Sequence, residues 1–152
     1  MRLEDALKTN KFESEKHKAT LNLLYSTYWL KDHISSAMKE NGITVEQFNV
    51  LRILKGMHPK DMCVKDIGSR MIEKSSNVPR IIDKLLLKQL VQRQPSAEDK
   101  RETMVSLTEK GIEVLQDANR LMSSTTNDII GITDDEAEQL NALLEKFRSK
   151  VE

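Results

Sequence analysis

Arg80, Lys84 and Lys88 recur at i, i+4 and i+8, which sets three long cations along one side of a helix. Ser75, Ser76 and Asn77 precede them, short hydrogen-bonding residues of the kind that open helices and accept their first amides. The chemistry open to this set is the binding of a polyanion. The cations can meet phosphates, Arg80 is long enough to fork onto a guanine edge, and the small polar groups stand at the leading end. A second group, Asp99, Lys100 and Arg101, lies in a charged loop over 96–102, between the strand-like runs Leu90–Gln94 and Thr103–Leu107. No reaction chemistry competes with this. The chain has no glycine-rich phosphate loop, no HExxH, no paired cysteines and no Ser-His-Asp order. A protein without catalytic activity and without a cofactor is expected.

The elements that must hold these residues are legible from periodicity. Val78, Ile81, Ile82, Leu85 and Leu86 recur at helical spacing on another side from the cations and can be buried together. Pro79 is tolerable only in a first turn, so the helix is predicted to begin at Ser75 or Ser76. A short helix over 65–71 and the turn Ile72-Glu73-Lys74 lead into it, and the two strand-like runs follow it. Helix, turn, cationic helix and charged hairpin are the parts of a winged helix-turn-helix, which reads DNA through the second helix. Upstream, Thr44 and Gln47 form a capping box for a helix that turns Phe48, Leu51 and Leu54 inward and stops before His58-Pro59. A long helix is predicted from Ser14 to Glu40, with Leu21, Leu24, Tyr25 and Tyr28 on one face, and Gly42 as its stop. Residues 1–13 are polar and expected to fray. Downstream, Thr108 caps a helix with Ile112, Leu115, Ala118 and Met122 as its ridge, reaching to about Asn127. Thr133 and Glu136 cap a last one lined by Leu140, Leu144, Phe147 and Val151, with Leu143 beside them.

Charged residues make up 32% of the 152 and hydrophobic ones 38%, with six aromatics. That composition fits a modest core spread over many helices and completed by dimerisation. The zero net charge hides an asymmetry: 55–111 holds 12 Lys and Arg against 8 Asp and Glu, whereas 112–152 holds 4 against 9. A polyanion is drawn to one part of the molecule and repelled by another. No apolar run approaches the ~18 residues of a membrane helix and no signal-peptide core opens the chain, so a cytoplasmic protein with no membrane partner is expected. Cys63 reads as a small buried hydrophobe, with a redox role as the alternative. His17, His33 and His58 lack ligand spacing, so no metal is expected.

From Thr44 to Gly111 the chain resembles the MarR family of winged-helix regulators. The resemblance rests on Leu51-Arg52-Ile53-Leu54, Val64-Lys65-Asp66-Ile67, Ser75-Ser76-Asn77-Val78, Arg80 to Leu85 and Leu90-Val91. Its most specific part is Asp99-Lys100-Arg101 followed by Val105 to Gly111, similar to the signature D-x-R…V-x-L-T-x-x-G. The resemblance implies a mainly α protein with a small β-wing, in one domain over 1–152. Within it, 1–43 would be an N-terminal dimerisation helix, 44–111 the DNA-binding lobe and 112–152 the C-terminal dimerisation helices. It implies a homodimer that reads an inverted-repeat double-stranded DNA operator as a transcriptional regulator, by default a repressor. Arg101 would enter a narrow minor groove and Asp99 would hold the wing in shape. A small amphipathic effector would bind near Tyr25, Tyr28 and Trp29, with His33 or Arg52 as a polar handle; the alternative is that these side chains only pack. Peroxide sensing through a first-helix cysteine is not expected, because that helix has none. Gln89 stands where many members have glycine, and Pro79 where many have a small hydroxyl residue. The alternative function is a winged-helix protein-interaction module that does not read DNA sequence.

Overall fold

The computed structural model describes residues 1–74, 76–97 and 102–150. Ser14 opens the long helix α2 (Glu15–Glu40), its hydroxyl accepting the His17 amide at 3.1 Å. Ahead of it lies a short helix, α1 (Leu3–Leu7), where the polar composition predicted only a frayed start. Leu3 is buried, and Lys18 Nζ donates to Glu4 Oε1 at 2.6 Å, so that one apolar and one ionic contact hold α1. The Lys18 bond, and after it a backbone amide, bring the Glu4 carboxyl down to about 2. At the far end α2 closes with a two-bond turn. The Ile43 amide donates to the Met38 carbonyl at 3.3 Å and the Gly42 amide to that of Lys39 at 2.9 Å. Gly42 has φ of 64°, the left-handed conformation that this closure needs and glycine adopts without strain.

The lobe that follows is built around α3 (Val45–Met57), which starts on the predicted Thr44–Gln47 capping box. Then come β1 (Met62–Cys63), α4 (Val64–Arg70), α5 (Val78–Leu87), β2 (Val91–Pro95) and β3 (Thr103–Leu107). The strands form an antiparallel sheet in the order β1-β3-β2, with Val91 opposite Leu107, Arg93 opposite Val105 and Met62 opposite Val105 on the other edge. Alternation does the burying in β3: Val105 and Leu107 are buried and Ser106 between them is not. Phe48, Val50, Leu51, Leu54, Ile67, Ile82 and Leu85 complete one core with them. Cys63 is half-buried and serves as a cap, its sulfur accepting the Asp66 amide at 3.4 Å, a role the hydrophobe reading did not foresee.

Thr108 caps α6 (Glu109–Ile129), and its hydroxyl accepts the Gly111 amide at 3.0 Å. Leu115 and Ala118 carry α6 into the common core, where it packs against both α2 and α3. The last helix, α7 (Asp134–Arg148), starts on the predicted Thr133–Glu136 capping box. It buries none of its described residues. Leu140, Leu143, Leu144 and Phe147 instead line an open cleft of about 300 Å³ against Ala19 and Leu23 of α2. Val151 of the predicted stripe lies outside the described residues. Among the described residues no helix is long and apolar enough to cross a membrane, and no group of three or more His, Cys, Asp or Glu could hold a metal.

Candidate nucleic-acid interface

The cationic helix α5 begins later than predicted. Asn77 is its cap, the side-chain oxygen accepting the Arg80 amide at 3.2 Å, and Val78 is its first residue. Pro79 then falls in the first turn, where a missing amide costs nothing, so proline constrains the start less tightly than the choice of Ser75 or Ser76 assumed. Ser76 belongs to the preceding turn, its amide bonded to the Glu73 carbonyl at 3.1 Å. The Ser76 hydroxyl oxygen is buried and meets no hydrogen-bond partner among the described residues. Ser75 lies outside the described residues.

Val78, Ile82 and Leu85 face the core, with Ile81 and Leu86 partly buried beside them. Arg80, Asp83, Lys84 and Leu87 are exposed on the other side. Arg80 and Lys84 therefore share an outer face, as their spacing predicted. Lys88 does not join them. Its ammonium turns inward and donates to the Gly42 carbonyl at 2.5 Å and to Gln47 Oε1 at 2.9 Å. The reason is that Lys88 caps the end of α5, beside the terminal carbonyl of the α2 turn and the buried Gln47 amide oxygen. Gln47 Oε1 also accepts the Thr44 amide at 3.2 Å, so Lys88 supplies the buried amide oxygen with a second donor, and the exposed Gly42 carbonyl with one. Asp83 on the outer face pairs with Arg93 of β2 at 3.0 Å, linking the helix to the hairpin.

The base of the hairpin is fixed by backbone geometry. Gln89 has φ of 60°, and the amides of Gln89 and Leu90 close onto the carbonyls of Leu86 and Leu85 at 2.9 and 3.0 Å. This repeats the α2 turn with glutamine in the glycine position. Leu90 is used up by that turn, so β2 starts at Val91, one residue beyond the prediction. Three contacts then lock α6 onto the same turn: Thr108 Oγ1 to the Gln89 carbonyl at 2.7 Å, the Thr108 amide to that of Leu90 at 3.2 Å, and Lys110 Nζ to that of Lys88 at 3.0 Å. Gly111 sits so close that a β-carbon on it would stand 1.9 Å from the Leu90 carbonyl oxygen. Gln94 Nε2 donates to Asp61 Oδ2 at 2.6 Å and ties the hairpin to the residue just before β1. Asp99, Lys100 and Arg101 at the wing tip lie outside the described residues.

Sequence reasoning missed a third feature near the head of α5. Glu46, Glu73, Ser76, Asn77, Arg80, Ile81 and Lys84 line one cleft of about 420 Å³. Lys31 of α2 reaches the two acids, 3.2 Å from Glu73 and 3.8 Å from Glu46. The Lys31–Glu73 pair spans 42 positions, and no local spacing signals it.

The candidate effector residues are only partly brought together. Tyr25 and Trp29 line a cleft of about 260 Å³ with Met1, Leu3, Asn22 and Ser26. The His33 ring lies tilted at 50° against Trp29 with ring centres 4.6 Å apart, and its Nδ1 donates to the Trp29 carbonyl at 2.8 Å. Tyr28 is 68% exposed. Arg52, on α3, lies over the Phe48 ring at 5.7 Å, and neither it nor Tyr28 lines the Tyr25–Trp29 cleft.

A short helix, a turn, a cationic helix and an antiparallel hairpin packed on one core define a winged helix-turn-helix protein. The comparisons make this narrower. The sequence model of the MarR family matches residues 43–103. The regulator YkoM of Bacillus subtilis, a protein named as an uncharacterized HTH-type transcriptional regulator, is 32% identical over 77% of this chain and 75% of its own length. The transcriptional regulator MhqR of the same organism is 28% identical over 77% of this chain and 80% of its own. In solved structures the fold recurs in a MarR-like protein of Bacillus cereus, with a TM-score of 0.80 at 22% identity over 91% of this chain and 99% of that one. It recurs in S. aureus MepR in complex with DNA, with a TM-score of 0.74 at 21% identity over 84% and 93%. The chain belongs to the MarR family, a family of transcriptional regulators and not of enzymes.

Proposed function

We propose that this protein reads duplex DNA as a homodimer on an inverted repeat and represses transcription there, with a small amphipathic molecule as its releasing signal. The observation that carries the reading is the division of α5. One face is bound into the core, and the other offers Arg80 and Lys84 to solvent with Ser76 and Asn77 at its head. A helix so anchored presents its cations at fixed spacing, which sequence reading in a major groove requires. Ser75, Ser76, Asn77, Arg80 and Lys84 are assigned to the groove and its phosphates. Asp99, Lys100 and Arg101 are assigned to the wing, with Arg101 in the flanking minor groove.

The homodimer is supported by what one chain leaves open. Leu140, Leu143 and Phe147 of α7 and Leu24 and Tyr28 of α2 are exposed apolar residues on two neighbouring helices. A second copy joined through 1–43 and 112–152 would cover them and set two lobes on successive turns of the duplex. Repression is supported by a relative from Pseudomonas putida named as the HTH-type transcriptional repressor IacR, 28% identical over 78% of this chain. An aromatic effector is supported by the fold neighbour RdhR in its 2,4-dichlorophenol-bound form, at a TM-score of 0.79. Tyr25, Trp29 and His33 are its assigned contacts, with Tyr28 and Arg52 added from the partner's side or by movement of the lobe.

The test is selection of duplexes from a random pool by the purified protein. An inverted repeat with half-sites about one helical turn apart is expected. Affinity for it should fall steeply with salt, as phosphate contacts require, and Arg101→Ala should weaken it while leaving the dimer intact. A pool without enrichment, or affinity indifferent to salt, would instead point to a protein-binding module.

A further inference from the structure

Sulfur gathers in one place away from the cationic face of α5. A cleft of about 520 Å³ lies between the end of α3, the start of α4 and the root of the hairpin, and Met57, Cys63 and Met104 all line it. Backbone register brings two of them together. Cys63 on β1 stands directly opposite Met104 on β3, and such partners share a face of the sheet with β-carbons about 4.5–5.5 Å apart. Val105 and Leu107 take the buried face of β3, so Met104 is turned to the other, toward the cleft. Met57 is the last residue of α3 and is followed by a turn that leads back to β1, closed by the Lys60 amide on the Met57 carbonyl at 2.9 Å. Met62 borders the same cleft, but it pairs with Val105 and is buried with it on the core face. Met38 and Met71 are likewise core residues. Met57, Cys63 and Met104 are not, for each is only half-buried.

We propose that Met57, Cys63 and Met104 form a site for one soft monovalent metal ion, copper(I), bound through two thioethers and a thiolate. Zinc takes thiolates, imidazoles and carboxylates, and among the described residues those groups make no set of three that could hold it. Thioethers beside a thiolate are the donors that suit copper(I). Carboxylates outnumber cations around the cleft, with Asp61, Asp66 and Glu102 against Arg70, and so favour the approach of a cation. Binding is an exchange without redox change. Copper(I) bonds to the Cys63 sulfur as the thiol proton leaves for water, and the metal stays monovalent. The Asp66 amide already donates to that sulfur at 3.4 Å and can keep donating to it as a thiolate. The site is complete within one chain and uses no residue assigned above to DNA, so it stands or falls apart from that function.

Titration of the reduced, full-length protein with copper(I) under argon, against the chelator bicinchoninate, tests this. A single ion per chain should bind, with a thiolate-to-copper absorption appearing in the near ultraviolet. Met57→Leu and Met104→Leu conserve apolar volume. Each should weaken binding by roughly tenfold or more, since even a group that only supports a metal ligand is worth that much. Cys63→Ser should remove both the absorption and the tight site. Zinc is the control. Its affinity should be the same in the unaltered protein and in Met57→Leu combined with Met104→Leu, because thioethers do nothing for it. Silver(I), a redox-inert substitute, should shift the methyl resonances of Met57 and Met104 in protein with isotope-labelled methionines and leave that of Met38 in place. This last measurement depends on no variant folding. Undiminished copper(I) affinity in the double variant would show that Cys63 alone holds the ion, and the proposal would fall. It would fall equally if the unaltered protein competed with the chelator no better than Cys63→Ser, or if silver(I) left the Met57 and Met104 methyls where they were.

Discussion

The lobe's core is closed within one chain, with Met38 of α2 and Leu115 and Ala118 of α6 packed into it, whereas the outer faces of α2 and α7 stay open. Between α3 and β3, Val50, Leu51, Ile67, Leu85 and Val105 are fully buried by elements of the same chain. In α2 and α7 the same kinds of residue stay in water: Tyr28 at 68%, Leu143 at 63% and Phe147 at 50% exposure. Composition does not separate the two regions; the surroundings do. In the lobe each apolar face meets a helix or the sheet on its far side, whereas α7 lies along the flank of α2 with an open cleft between them. A face covered within the chain needs nothing further. One left open is completed by another surface, and for the arms that surface is, in our reading, a second copy.

The sharpest way to break this contrast is at Gly111. A β-carbon there meets backbone at 1.9 Å, which no side-chain adjustment relieves. Gly111→Ala should destabilise the lobe by about 3–5 kcal/mol or prevent its folding, as overpacking against a fixed backbone does. Chemical denaturation followed by far-ultraviolet dichroism would show it. In the arms, Leu143→Glu together with Phe147→Glu should convert dimer to monomer at micromolar concentration. Each apolar side chain covered on association is worth about 1.5–3 kcal/mol. The melting of the lobe should hardly change, and sedimentation would separate the two effects. Lys88→Met should cost about 1 kcal/mol, because Gln47 Oε1 keeps the Thr44 amide but loses its second donor, and the exposed Gly42 carbonyl can turn to water. It should leave the salt slope of DNA binding unaltered, since this lysine does not face the outer side of α5. Gln89→Gly should stabilise the lobe by about 1 kcal/mol, the strain of a left-handed non-glycine residue, seen as a higher urea midpoint.

The smallest effect belongs to the arms. Glu4 is ionised down to about 2 in the folded chain, below its ordinary 4.5. A depressed carboxyl contributes fully above the unfolded value and loses that contribution as pH falls through the folded one. The α1 contact should therefore hold at neutral pH and loosen between about 4.5 and 2, which carboxyl resonances of Glu4 would follow. Lys18→Met should return the titration to the ordinary range.

Much of this architecture was legible because local rules decide it. Both capping boxes, the Thr108 cap, the Ser14 start and the Gly42 stop depend on neighbours three or four residues apart, and each stands where the spacing put it. The family pattern singled out Gln89 as a departure from glycine, and φ of 60° shows that the left-handed turn is kept with glutamine in it. The errors arose where long-range partners decide. Lys88 has helical spacing with Arg80 and Lys84, yet acceptors more than forty positions away turn it inward. Residues 1–13 look too polar to order, yet Lys18 and the surface around Leu3 hold α1. The start of α5 was misplaced by two or three residues because proline only excludes an earlier start, whereas the asparagine cap sets the actual one.

Trp29 is the single tryptophan of the chain, and it sits on α2, its ring against that of His33, beside the cleft under α1. The lobe contains none. Intrinsic fluorescence is therefore a selective optical report on the arm, needing no label, while dichroism follows the whole molecule. Recording both signals along one titration would time the arm's rearrangement against that of the lobe.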